Sequence, residues 1–343
     1  ALNLTDEKLD IWSLLGMEYL YEDDYTNAQL YFAKCIEEDD EDFTALYNIV
    51  YCYDMQKNHE EAIEFLHKYI EKNPYCEIAW HQIGRQYFVL KKYEKALTAF
   101  DYAVLIDESF VGGYLEKAKT FEQLKRYQEA IDNYLVTIEL EDPTAYAYIR
   151  IGVCSEKLNK KDAAIRYYQK AVHEDPLLDK GWALLANLYF ERKNYQKALY
   201  YITKSLFIDE DNALYWRKFA EINLKLSLFE EAVNAFEKCL KLNDKSLEIY
   251  IGLSDVLLFL GEFEEALTII SSAKQTYLKS AEVDYRLAAL SFILNNPKVG
   301  IQQLISALEI DFEYHTILKE LHPGIFDIKE VNNLILNFRK ATD

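Results

Sequence analysis

Glycine and proline are scarce in this chain, 10 and 5 among 343 residues. So few turn formers leave little room for long loops. With half of the residues hydrophobic, the composition reads as a folded, almost entirely helical protein. Long apolar runs are missing too. None approaches the ~18 residues of a membrane-spanning helix, and the richest, such as Val256 to Leu260, are short pieces of helix. Cations are outnumbered: 38 Lys and Arg against 58 Asp and Glu leave a net charge of -20. Backbone binding to nucleic acid rests on clustered cations, so no nucleic-acid partner and no direct membrane insertion are expected.

The five cysteines, Cys35, Cys52, Cys76, Cys154 and Cys239, are odd in number and show neither pairing nor ligand spacing. That usage favours a reducing, cytoplasmic setting. The six histidines are scattered and none forms the i, i+4 pair of a zinc helix. The acidic run at 37–42 lacks the glycine and the distal glutamate of a calcium loop. No glycine-rich phosphate loop and no nucleophile elbow occur. No catalytic residue, metal or cofactor is therefore expected, and no enzyme activity.

What the chain does have is a period. Residues 77–110 can be laid over nearly every other segment at an offset of 34 residues. The Trp80 column reads Trp12, Leu46, Trp80, Tyr114, Tyr148, Trp182, Trp216 and Tyr250, then Asp284, where the large apolar residue slips to Tyr285. The Ala96 column reads Ala28, Ala62, Ala96, Ala130, Ala164, Ala198, Ala232 and Ala266, then Gly300. Within each period apolar residues recur every three or four positions and restart once, which predicts two helices. Helices crossing at an axis separation of about 8–10 Å leave room only for small side chains. Gly84 and Ala96 are expected at that crossing, with Trp80, Tyr87 and Phe100 packed around it.

In these columns the chain resembles the tetratricopeptide repeat family, whose 34-residue signature runs Trp, Leu-Gly, Tyr, Ala, Phe, Ala, Pro. The resemblance implies an all-α solenoid of antiparallel helix pairs wound into a right-handed superhelix. Nine repeats start at 9, 43, 77, 111, 145, 179, 213, 247 and 281 and end at 314. Running the phase backwards puts Ala1 in the column of Cys35 and Ala103. Residues 1–8 then read as the end of a preceding repeat or an N-terminal cap, with Thr5 and Asp6 capping the first helix, and the chain as an excerpt of a longer array. Residues 315–343 leave the register, break at His322-Pro323-Gly324 and resume with a capping-box-like start at Asp327 to Glu330, as a C-terminal cap over the last apolar face. The acidic turns between repeats are expected to cap the helices that follow them.

The same resemblance implies that the first helix of each repeat lines a concave face on which partner segments lie. Mapped onto this chain, that face takes Tyr47, Asn48, Tyr51, His81, Gln82, Arg85, Glu116, Lys119, Arg150, Lys180, Asn187, Arg217, Lys218 and Glu221. Over the central repeats its cations outnumber its carboxylates, against the trend of the whole chain. An acidic or carboxylate-bearing segment of a protein or peptide partner is the ligand this suggests, with Arg and Tyr as favoured anchors. The carboxylate clamp of some members is absent in this frame: Asn48 matches, but Ser13, Met17, Ile78 and Gln82 do not. The expected function is a non-enzymatic scaffold or adaptor. The alternatives are a regulatory or sensory module whose effector lies outside this chain, and self-association through terminal repeats.

Overall fold

The period is visible first in the backbone. In the computed structural model, which describes the backbone of residues 2–342 and the side chains of 8–339, nine residues spaced by 34 adopt a left-handed conformation: Asp23, Lys57, Lys91, Lys125, Asn159, Lys193, Ser227, Gly261 and Asn295. Each closes the first helix of a pair. At Lys91 the closure shows both bonds of a Schellman turn, Lys91 N–H to Phe88 C=O at 2.9 Å and Lys92 N–H to Tyr87 C=O at 2.8 Å. Only Gly261 meets this conformation with the residue best suited to it.

The chain divides into two compact units, residues 1–176 and 177–343. The first holds the pairs α1 (Leu2–Tyr21) and α2 (Tyr25–Glu38), α3 (Phe43–Gln56) and α4 (His59–Lys72), α5 (Glu77–Val89) and α6 (Tyr93–Ile106), α7 (Val111–Gln123) and α8 (Tyr127–Leu140), α9 (Ala145–Lys157) and α10 (Lys161–Glu174). The second holds α11 (Asp179–Glu191) and α12 (Tyr195–Ile208), α13 (Ala213–Lys225) and α14 (Phe229–Lys241), α15 (Leu247–Leu260) and α16 (Phe263–Thr276), α17 (Ala281–Ile293) and α18 (Pro297–Ile310). Two 3₁₀ turns, Glu313–Ile317 and Ile325–Asp327, flank the single-turn helix α19 (Leu318–Leu321), and α20 (Lys329–Thr342) ends the described chain. The described residues contain no strand.

Inside each pair the crossing is set by complementary sizes. Gly16 faces the ring of Phe32, Gly84 that of Phe100 and Gly152 that of Tyr168. Ala186 stands in the same column and shares a core cluster with the smaller Ile202. Every member of the Ala96 column from Ala28 to Ala266 is fully buried. In the Trp80 column Leu46, Tyr148 and Tyr250 are buried in the core, while two of the tryptophans take on a second task. Trp80 is partly exposed, stacks on Tyr102 at 4.5 Å and donates its indole N–H to the Pro74 carbonyl at 3.1 Å. Trp216 does the same to Glu210, also six residues back. Both tie the inter-repeat turn to the helix that follows. In the last pair this column holds Asp284, fully buried, with Lys274 Nζ at 2.5 Å and the Ser306 hydroxyl at 2.8 Å, while Tyr285 is buried beside it.

Three local expectations are corrected. First, α1 begins at Leu2, so Thr5 and Asp6 lie inside a helix that runs unbroken across residue 8. Second, most turn acids do not cap the following helix. Asp39, Asp107 and Asp209 sit just past the C-terminus of the preceding one and accept from the N–H two residues on, at 3.0, 2.9 and 3.2 Å. The N-caps are a separate column, Asp42, Cys76, Phe110, Thr144, Leu178, Asn212, Ser246 and Ser280. Of the acids in these runs, Asp42 does cap, accepting from Ala45 N–H at 2.9 Å. Third, α20 starts at Lys329 with Ile328 before it, so Asp327 stands one residue too early to be its cap. Helix α20 follows α18 by 32 residues where every earlier second helix follows its predecessor by 34. The C-terminal segment buries Leu318, Ile325, Val331 and Ile335 against Tyr285, Ala288, Phe292 and Leu304, closing the last apolar face.

Candidate functional site

The first helices carry the candidate residues, and the two units present them differently. In the first unit, α3 exposes Tyr47 and Tyr51 one turn apart, and Asn48 Nδ2 lies 4.0 Å from Met17 Sδ on α1. Leu14, Met17, Tyr21 and Met55 are exposed around them. Both methionines of the chain therefore stand on this strip. Reading for charge and hydrogen bonding missed this apolar character, although the two methionines were a signal in plain view.

The cations of the first unit are mostly spent internally. Arg150 on α9 grips Glu122 on α7, with Nε 2.9 Å from Oε1 and a second contact from Nη2 to Oε2; Tyr134 donates its hydroxyl to the same carboxylate at 2.6 Å. Lys119 pairs with Glu116 at 2.7 Å. Arg85 is exposed and donates to Gln82 Oε1 at 3.3 Å. His81 does not offer a polar edge to a ligand. Both ring nitrogens are buried without hydrogen-bond partners, and the ring lies 5.7 Å from Phe100 and edge-on to Phe110 at 5.2 Å. Burial, reinforced by the charges of Arg85 and Lys119, pulls its pKa down to about 4. The excess of free cations inferred from residue types does not hold here.

In the second unit Lys180, Asn187, Arg217 and Lys218 line one cleft of about 520 Å³ between α11 and α13. Ala183, Leu184, Ile202 and Leu214 supply its apolar wall. Arg217 is positioned by Nη2, which donates to Asp244 at 2.7 Å and to the Ser246 hydroxyl at 2.6 Å, while its buried Nε–H has no acceptor. Lys218 shares its charge with Glu221 at 2.5 Å and lies over the Phe190 ring at 4.6 Å. Lys180 is exposed and makes no ion pair among the described residues. The cleft therefore offers an unpaired ammonium and a partly exposed guanidinium beside apolar surface, a combination suited to a carboxylate on an apolar segment.

The five cysteines are free and buried, and burial pushes the thiols of Cys35, Cys52 and Cys239 up to about 11 and that of Cys154 to about 12. They are packing residues rather than nucleophiles. No helix among the described residues is long and apolar enough to cross a membrane.

Two models of the tetratricopeptide repeat match the chain, one over residues 19–86 and 224–290, the other over 115–179 and 156–213, together more than half of its length. The chain belongs to the tetratricopeptide repeat family. Among solved structures, this tetratricopeptide repeat protein is similar to the C-terminal part of a TPR repeat-containing protein from Cytophaga hutchinsonii, with 14% identity and a TM-score of 0.60 over 71% of this chain and 99% of that one. It is also similar to a tetratricopeptide repeat protein from Parabacteroides merdae, at 16% identity and a TM-score of 0.48 over 73% and 99% of the two chains. YrrB, a TPR protein with an unusual peptide-binding site, aligns at 18% identity and a TM-score of 0.47 over 55% and 97%. At these identities the likeness is one of fold. No curated protein matches the chain in sequence.

Proposed function

We propose that this tetratricopeptide repeat protein is a non-catalytic interaction scaffold whose first-helix face holds an acidic, carboxylate-bearing segment of a partner protein. The observation that supports this reading is the meeting of Lys180, Asn187, Arg217 and Lys218 around one cleft with an apolar wall. A carboxylate in the cleft meets the Lys180 ammonium and the partly exposed Arg217 guanidinium as charge-assisted donors, and the side chain beside it rests on Leu184 and Leu214. Repeat helices supply such sites without loop rearrangement, because each helix is fixed by its neighbours.

The test is fluorescence anisotropy with a labelled peptide of alternating Glu and Leu, comparing the parent chain with Lys180→Glu. Lys180 makes no ion pair among the described residues, so circular dichroism should be unchanged by the substitution. Binding is expected to weaken about tenfold or more, since one attractive contact becomes repulsive. Equal binding by both proteins would remove the cleft from consideration.

A further inference from the structure

We propose a second recognition pocket in the C-terminal unit, of opposite chemistry: it takes a Lys or Arg side chain from an apolar stretch of a protein partner. The pocket is a cleft of about 520 Å³ formed by α15, α17 and the segment around α19, lined among others by Asp255, Phe259, Arg286, Ile293, Glu320 and Leu321. This rests on the scaffold reading above but not on the basic cleft.

The charge balance selects the ligand. Arg286 is only 5% exposed, and its guanidinium is fully committed: Nε and Nη2 donate to the two oxygens of Asp255 at 3.0 and 2.9 Å, and Nη1 donates to Glu282 at 3.1 Å. Two carboxylates thus face one cation. The Asp255 side chain remains 44% exposed, so its negative charge is open to the cleft. Glu320 on α19 is exposed and has no cationic partner among the described residues. In the lining Asp255 and Glu320 thus outnumber Arg286, beside His322, and an incoming carboxylate or phosphate is disfavoured.

The walls select the stem. Phe259 is 70% exposed, and its ring is held against Phe229 with centroids 4.5 Å apart. A fixed aromatic face at the edge of a negative cleft suits a cation, through the ring quadrupole. Ile293 and Leu321 offer apolar surface for the methylenes that lead to it. Tyr314 anchors the segment that completes the pocket by donating to Glu282 at 2.9 Å.

Methyl NMR of the full chain tests this with two probes, acetyl-Leu-Arg-Leu amide and acetyl-Leu-Glu-Leu amide. The Arg probe is expected to shift the methyls of Ile293 and Leu321, and the Glu probe to leave them in place. Glu320→Lys and Phe259→Ala, both at exposed positions, should each weaken the Arg probe by about fivefold. The pocket is refuted if Ile293 and Leu321 stay unmoved by the Arg probe, or if both variants bind it as the parent does. The methyls of Leu184 and Leu214 report the basic cleft in the same spectra. Their silence toward the Glu probe counts against that cleft alone.

Discussion

Gly152 lies directly beneath the ring of Tyr168, so close that a Cβ on it would fall well inside the 3.0 Å that real Cβ atoms keep from the ring. Tyr168 is itself fully buried and donates its hydroxyl to Glu156, so the ring cannot swing away without breaking a partly buried hydrogen bond. Gly152→Ala is therefore expected to cost about 1–3 kcal/mol by overpacking, read as a lower urea midpoint. Ala186→Gly, where the facing residue is Ile202, should instead lose stability through helix propensity, by about 1 kcal/mol. An unchanged midpoint for Gly152→Ala would mean that α9 and α10 are not held at this separation.

The left-handed turn position gives a second prediction. Lys91 holds a φ of 58° with an exposed side chain, whereas Gly261 occupies the equivalent place with a φ of 84°. Lys91→Gly should stabilise the protein by about 1 kcal/mol, because the left-handed penalty of a side chain is removed. Gly261→Lys should lose a similar amount. Shifts of the same sign in both variants would contradict the turn geometry.

His81 supplies a pH dependence. Its pKa is depressed to about 4 in the folded chain, chiefly by burial, while an unfolded histidine titrates near 6.5. The neutral ring is favoured by folding, so the unfolded state binds more protons between these values. Stability should be fully present above pH ~6.5 and fall as the pH drops toward ~4. Carboxylates also titrate near the lower limit, so the diagnostic is the comparison with His81→Phe, which keeps an aromatic ring between Phe100 and Phe110. The variant's urea midpoint should decline less from pH 7 to pH 5 than that of the parent. Parallel curves would show that His81 reaches water.

The fold was legible in the sequence because its determinants repeat. A small residue at Gly84 or Gly152 implies a large one at Phe100 or Tyr168, and each column restates the same helix crossing. The site was only half legible. Helical spacing places Arg150 and Arg217 on the first-helix face but does not say what else reaches them. Their partners lie 28 residues back at Glu122, in the preceding repeat, and 27 residues on at Asp244, at the end of the same repeat. One signal was available: glutamates at 122 and 156 stand twelve positions before the tyrosines at 134 and 168, where the other repeats, apart from Asp54, have apolar residues in both places. His81 was misplaced for a related reason. Phe110, outside any helix, closes over a ring that spacing alone assigns to the open face.

The distinction between committed and free cations leads to the last prediction. Glu122 is 8% exposed at its side chain and is held by Arg150 and Tyr134 together. Arg150→Ala leaves that carboxylate buried with one neutral donor. Because Arg150 is itself partly open to water, with 30% of its side chain exposed, the expected loss is about 2 kcal/mol, below that of a fully buried pair. Lys180→Ala breaks no ion pair among the described residues and should stay within about 0.5 kcal/mol of the parent. The two variants should therefore separate stability from binding: Arg150→Ala lowers the urea midpoint, and Lys180→Ala weakens the Glu-Leu peptide without lowering it. A marked loss of stability in Lys180→Ala would place that lysine in the framework, and the acidic-ligand reading would lose its one uncommitted ammonium.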